Sequence, residues 1–224
     1  IYDPTTGLFT IFRNLSLPRA EHTATLLPDG RVLILGGYSS SKMINTGEVI
    51  DAMKGTITVL DEPMQIGRMG HNAVPLDNNR ILIIGGYTWG TEESAGKVVN
   101  KPNPISNLEI FDLVNESFKK IGEQLLPARG AMQSWVLPDQ RVMLVGGEDQ
   151  GAIFEGAKLT LGSAKNIIQI FDPKTEGIYT VGTLKYARHL FTLTPMGSRS
   201  AMVIGGLGDS GAHSSAELLV YRPK

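Results

Sequence analysis

Three observations predict an all-β protein built as a radial array of small antiparallel sheets. A short apolar run ending in a glycine pair occurs four times. An arginine-led segment, a tight turn and a further strand recur around each run. No stretch carries the 3.6-residue apolar spacing of an amphipathic helix.

The glycine runs are Val32-Leu33-Ile34-Leu35-Gly36-Gly37, Ile81-Leu82-Ile83-Ile84-Gly85-Gly86, Val142-Met143-Leu144-Val145-Gly146-Gly147 and Ala201-Met202-Val203-Ile204-Gly205-Gly206. Their first glycines are 49, 61 and 59 residues apart. Short apolar runs rich in branched residues and bounded by turn signals read as strands buried on both faces. Upstream of the first two lie Arg19-Ala20-Glu21-His22 and Arg68-Met69-Gly70-His71. Arg129-Gly130-Ala131-Met132 and Arg188-His189-Leu190-Phe191 fill the same place in the other copies. A second strand, such as Thr23-Ala24-Thr25-Leu26-Leu27, follows each arginine segment and meets the glycine strand through a tight turn. Pro28-Asp29-Gly30, Asp77-Asn78-Asn79, Pro138-Asp139-Gln140 and Met196-Gly197-Ser198 supply residues that tolerate positive φ. After each glycine pair comes a strand of the type Glu109-Ile110-Phe111-Asp112 and then a large residue, Ile57, Phe118 or Tyr179, with Phe9 in the same relation to Asp3.

Four strands per unit cannot bury two apolar sheet faces alone. Stacking the units around an axis buries both faces and leaves only short edges, which is the architecture of a β-propeller. The glycine pairs suit the crowding near such an axis, because a residue without Cβ permits close backbone approach. The units read as blades at about residues 5–51, 52–112, 113–172 and 173–224, with strands a to d numbered from the axis outward and the Phe9 and Ile57 type of strand first.

The phrase from His22 to Gly37, HTATLLPDGRVLILGG, resembles a kelch repeat of the bacterial, galactose-oxidase-like kind. The resemblance extends over nearly the whole chain through the four glycine pairs, although the tryptophan usual in the first strand is replaced by Phe9, Ile57, Phe118 and Tyr179. It implies a propeller of kelch-type four-stranded blades and a ring of six or seven of them. Ile1-Tyr2-Asp3-Pro4 repeats the end of a fourth strand, as does Val220-Tyr221-Arg222-Pro223, so the repeat count reads as a segment of a longer array. A closed four-bladed ring and two copies completing one ring are the alternatives.

Composition excludes several classes of function. Net charge is −1, whereas phosphate backbones demand clustered positive charge. No apolar run approaches the length of a membrane span. The absence of cysteine rules out disulfides, thiolate metal sites and the tyrosine–cysteine copper cofactor that the resemblance would otherwise suggest. His22 and His71 share a repeat position with Met132 and Phe191, which reads as packed core and not as metal ligation, and no metal-binding spacing of histidines occurs. No cofactor is expected.

Function is expected on the connections at one end of the array, where the residues after the glycine pairs differ between blades. Tyr38, Tyr87 and Trp89 offer an aromatic side; Glu148, Asp149 and Asp209 offer an acidic side. The segments 87–107 and 148–166 are insertions, read as long loops at this end, with Pro102-Asn103-Pro104 a stiff stretch of the first. Arg19, Arg68, Arg129 and Arg188 recur once per blade, either as structural groups or as a ring of cations for an acidic or phosphorylated motif. The expected function is a non-enzymatic module binding a protein partner or a larger assembly. The alternative is a carbohydrate-binding or mutarotase-like propeller, with Tyr87 and Trp89 stacking on sugar and Glu21, His22, Arg68 and Glu148 supplying polar groups.

Overall fold

The computed structural model describes residues 1–40, 42–94, 97–151, 153–155, 158–160 and 162–222, with side chains outside 92–100 and 152–161. The chain is all-β, four antiparallel sheets standing side by side as the blades of a β-propeller.

A short hairpin comes first, β1 (Tyr2–Asp3) against β2 (Leu8–Phe9). Blade one holds β3 (Thr23–Leu26) and β4 (Val32–Leu35). A small side hairpin follows, β5 (Tyr38–Ser39) with β6 (Lys42–Met43), and then β7 (Gly47–Asp51) and β8 (Thr56–Val59) complete the sheet. Blade two repeats this with β9 (Asn72–Pro75), β10 (Arg80–Ile84), the hairpin β11 (Tyr87–Ser94) and β12 (Lys97–Pro104), then β13 (Asn107–Asp112) and β14 (Ser117–Gln124). Blade three has β15 (Gln133–Val136), β16 (Val142–Val145), the hairpin β17 (Ile153–Glu155) and β18 (Lys158–Thr160), β19 (Ile167–Asp172) and β20 (Gly177–Thr183). Blade four has three strands in its sheet, β21 (Thr192–Pro195), β22 (Ser200–Ile204) and β25 (Ala216–Val220), with β23 (Leu207–Gly208) and β24 (Gly211–Ala212) as side hairpin.

The strands within each sheet run in sequence order, β3-β4-β7-β8 in blade one. Neighbouring blades touch through β3 and β9, β9 and β15, and β15 and β21, so the strand after each arginine is innermost. The Ile57 strand is outermost, opposite to the lettering read from the sequence. Counted by hydrogen bonding, each sheet therefore begins and ends one strand later than the sequence units. The reason is local: β8 follows β7 through a four-residue turn in which Lys54 N–H donates to Asp51, and the two pair at once.

The glycine strands are sandwiched as their composition demands. Ile81 and Ile83 point to blade one, packing with Leu33, Leu35 and Val49; Leu82 and Ile84 point to blade three, packing with Met132, Val142 and Leu144. A third cluster joins blades three and four through Trp135, Val145 and Ile170 against Phe191, Ala201 and Val203. Burial of each such side chain contributes about 1.5–3 kcal/mol. Among the described residues no apolar cluster of this kind joins blade four to blade one. In blade four the register places Leu219 opposite Ala201, where Phe111 faces Ile81 in blade two, so Leu219 and not Tyr221 holds the repeat position of Phe111.

Candidate functional site

The four repeated arginines are scaffold, not a cationic ring. Each guanidinium is buried and donates to the carbonyl of the first glycine in its own blade: Arg19 to Gly36 at 2.9 Å, Arg68 to Gly85 at 3.1 Å, Arg129 to Gly146 at 2.8 Å and Arg188 to Gly205 at 2.7 Å. A side chain on the third strand of the same sheet completes the site, Glu48, Glu109, Gln169 or Glu217. Meanwhile the main-chain carbonyls of Arg68, Arg129 and Arg188 accept the N–H of Gly37, Gly86 and Gly147 from the preceding blade at 2.8–3.0 Å. One residue type thus pins a glycine pair on each side. Both glycines of a pair need positive φ, and a Cβ on Gly85 would sit 2.5 Å from the Arg129 carbonyl oxygen.

Blade three differs in one respect that tunes its arginine. Gln169 accepts from Arg129 through Oε1 and donates through Nε2 to the Leu126 carbonyl, whereas Glu109 accepts the Gln65 N–H at the equivalent place. Among the described residues no carboxylate therefore compensates Arg129, and burial lowers its pKa to about 10.

Next to the axis, each post-glycine residue bridges to the residue after an arginine: Tyr38 to Ala20, Tyr87 to Met69, Glu148 to Gly130 and Leu207 to His189. The post-glycine segments and the arginine segments therefore meet at one end of the propeller. Tyr87 is buried there. Its ring packs where Cβ atoms would lie on Gly130 and Gly151, and its hydroxyl donates to the Glu148 carbonyl at 3.4 Å. Burial, helped by the charge of Glu148, raises its pKa. Tyr87 is a wedge between blades, so it cannot serve as a stacking platform for a sugar.

The acidic residues converge, but on the chain itself. Glu148 accepts the Gly162 N–H at 3.0 Å, Asp149 accepts the Ser163 N–H at 2.8 Å and pairs with Lys165 at 2.5 Å, and Asp209 accepts the Ala164 N–H at 2.8 Å. Three carboxylates from two blades thus clamp the segment 162–165. Glu148 Oε1 also lies 3.4 Å from Nδ1 of the buried His189, without hydrogen-bond geometry. Burial pushes the Glu148 carboxyl up to about 7 and His189 down. Of the polar set read as mutarotase-like, Arg68 is already engaged: its side chain is spent on Gly85, Asn107 and Glu109. Among the described residues no group of three or more His, Asp or Glu is placed to hold a metal ion.

The first insertion has strands of its own. Residues 87–94 and 97–104 pair as a hairpin of eight residue pairs, Tyr87 opposite Pro104 to Ser94 opposite Lys97, and not the long loop expected. Pro102 and Pro104 alternate along its second strand, a spacing that an edge strand accepts at positions outside the ladder. Trp89 stands on β11 opposite Pro102, half-buried, with its indole N–H shielded and without a partner among the described residues. Tyr38 is half-buried on β5.

No family model matches the chain, and no curated protein is significantly similar to it.

Two features of this end escaped the sequence reading. The arginine partners Glu48, Glu109, Gln169 and Glu217 were visible as the polar residue directly before an apolar pair in each third strand, equal in number to the arginines. His189 carried no such signal, because its repeat position holds Ala20, Met69 and Gly130 elsewhere.

Proposed function

We propose that the chain is a kelch-type repeat propeller acting as a non-enzymatic interaction module, with a protein partner bound at the glycine-pair end. The supporting observation is the hairpin β11–β12. It extends eight residue pairs from an end whose counterparts in blades one and four are two pairs long, and it carries Trp89 with part of its ring exposed while the indole N–H is shielded. Tryptophan with a polar edge and a large apolar face is the side chain most often found at the centre of binding surfaces. The axial carboxylates favour the same reading, since each is engaged by the protein's own backbone. A general acid or base needs freedom to reach a substrate proton.

The test is to replace residues 88–103 by a two-pair hairpin like that of blade one, and separately to reshape residues 148–166. Loss of a stoichiometric protein complex with an unchanged melting transition supports the proposal. Saturable binding on a sugar array that disappears in Trp89→Ala overturns it in favour of a glycan ligand.

A further inference from the structure

The last residues of the second insertion, 162–165, lie as a strap across the joint of blades three and four, and an ionisable pair sits beneath them. The strap is fastened at four points. Gly162 N–H donates to Glu148 Oε2 at 3.0 Å, Ser163 N–H to Asp149 at 2.8 Å, Ala164 N–H to Asp209 at 2.8 Å, and Lys165 N–H to the Gly147 carbonyl at 2.7 Å. Asp149 is partly exposed and pairs with Lys165, and Asp209 is exposed. Glu148 is different. It is 3% exposed, and among the described residues no lysine or arginine pairs with it. Its Oε1 lies 3.4 Å from Nδ1 of His189, a residue 1% exposed whose Nδ1 finds no hydrogen-bond partner.

One proton decides how well this arrangement is satisfied. With Glu148 neutral, its carbonyl oxygen accepts from Gly162 and its hydroxyl is placed to donate to Nδ1 of neutral His189. With Glu148 ionised, a carboxylate without a cation is shut away from water under the strap. Its surroundings add to that cost. Asp149 stands beside it on the same segment and Glu21 faces it from blade one, both of like charge. From blade two comes only the uncharged Tyr87, whose hydroxyl donates to the Glu148 main-chain carbonyl. Blade four brings His189 itself and Asp209, the charge of which acts on His189. The cation of the strap, Lys165, is spent on Asp149.

We propose that Glu148 and His189 form a proton-operated latch: the proton held between them fastens the strap 162–165, and its loss loosens the strap and with it the second insertion. Lifting the strap lets water reach the Glu148 carboxylate, so the ionised form favours the open position. Burial pushes the Glu148 carboxyl up to about 7 and His189 down, so the closed strap binds a proton that the open strap releases. The latch is therefore fully fastened below pH 4.5 and weakens until pH passes about 7. It operates whether or not a partner binds at this end.

Amide exchange of Gly162, Ser163 and Ala164 tests this on the full chain between about pH 5 and pH 8.5, corrected for the intrinsic pH dependence of exchange. Wild-type protection of the strap is expected to fall on the order of 100-fold across the range, while Gly37 and Gly86 keep theirs. Glu148→Gln offers Gly162 an acceptor and His189 a donor in the same space without a charge, so its strap is expected to stay protected throughout. In wild type, the carboxyl carbon resonance of Glu148 is expected to titrate near 7, with the fall in protection levelling off as that titration completes. This comparison needs no variant and decides the matter if Glu148→Gln does not fold. A carboxyl that titrates near 4.5 overturns the proposal, as does strap protection that ignores pH or falls equally in Glu148→Gln. Loss of protection at Gly37 and Gly86 together with the strap overturns it as well, since the change then belongs to the whole fold.

Discussion

The main-chain carbonyl of Arg68 accepts the Gly37 N–H at 2.8 Å, and that bond carries blade one to blade two. The same arginine's side chain holds Gly85, the first glycine of its own blade, so each repeat is tied to the one before it through a single residue. The carboxylate of Glu109, 2.7 Å from the guanidinium, compensates the buried charge on which this tie depends.

Glu109→Ala leaves Arg68 buried without a counter-charge. The expected loss is about 3–5 kcal/mol, the usual result of removing one partner of a buried pair. Urea unfolding measures it. A loss below 1 kcal/mol, the range of exposed pairs, would mean that water reaches Arg68.

Gly85→Ala and Gly205→Ala are chemically the same change at the same φ, near +67°. They should differ sharply. Alanine at 85 meets the Arg129 carbonyl oxygen at 2.5 Å and is expected to cost about 3–5 kcal/mol. Alanine at 205 makes only an ordinary contact, 3.7 Å from the His213 carbonyl oxygen, and is expected to cost about 1–2 kcal/mol, the backbone strain alone. Unfolding at high dilution compares them, and equal losses would contradict the open flank of blade four.

Glu148 makes stability fall as pH rises. Its carboxyl titrates near 4.5 when free and near 7 in the fold, so the native state holds a proton across that interval. The contribution is fully present below pH 4.5 and is lost as pH passes through about 7, on the order of 1–3 kcal/mol. Glu148→Gln should flatten the stability profile between these values. An unchanged slope would show that Glu148 is ionised in the fold without penalty.

His71 acts in the opposite sense. Burial, assisted by Arg68, depresses its pKa from 6.5 to about 3. The stability that neutral His71 contributes is present above pH 6.5 and is lost as pH falls toward 3. Met132 fills the same place in blade three, packed against Gly85. His71→Met should therefore retain the fold, give up the 3.1 Å bond to Thr23, and move the acid unfolding midpoint to lower pH. A midpoint that does not move would assign acid unfolding to other groups.

Much of this fold is legible from the runs that end in Gly36, Gly85, Gly146 and Gly205. A strand apolar at every position needs cover on both faces, and four such strands with glycine at one end leave few arrangements. Strand phase was less legible. The turn after Asp51 works equally well between blades or within one, and only the pairing of Ile50 with Ile57 decides. The hairpin 87–104 was hidden because two prolines in a row of alternate residues read as a breaker in isolation, while opposite β11 they occupy positions that need no donor. Tyr87 looked exposed because the space for its ring is made by Gly130 and Gly151, more than forty residues away. The arginines resolve as scaffold once each is seen beside the polar residue of a third strand.

Amide hydrogen exchange at the second glycine of each pair tests the blade-to-blade stitch most directly, because protection reports whether each N–H is bonded in the fold. In dilute, monomeric protein, Gly37, Gly86 and Gly147 are expected to exchange slowly and Gly206 to exchange freely. Protection of Gly206 equal to that of the other three would contradict the account, since it would place a blade against the flank that stands open here.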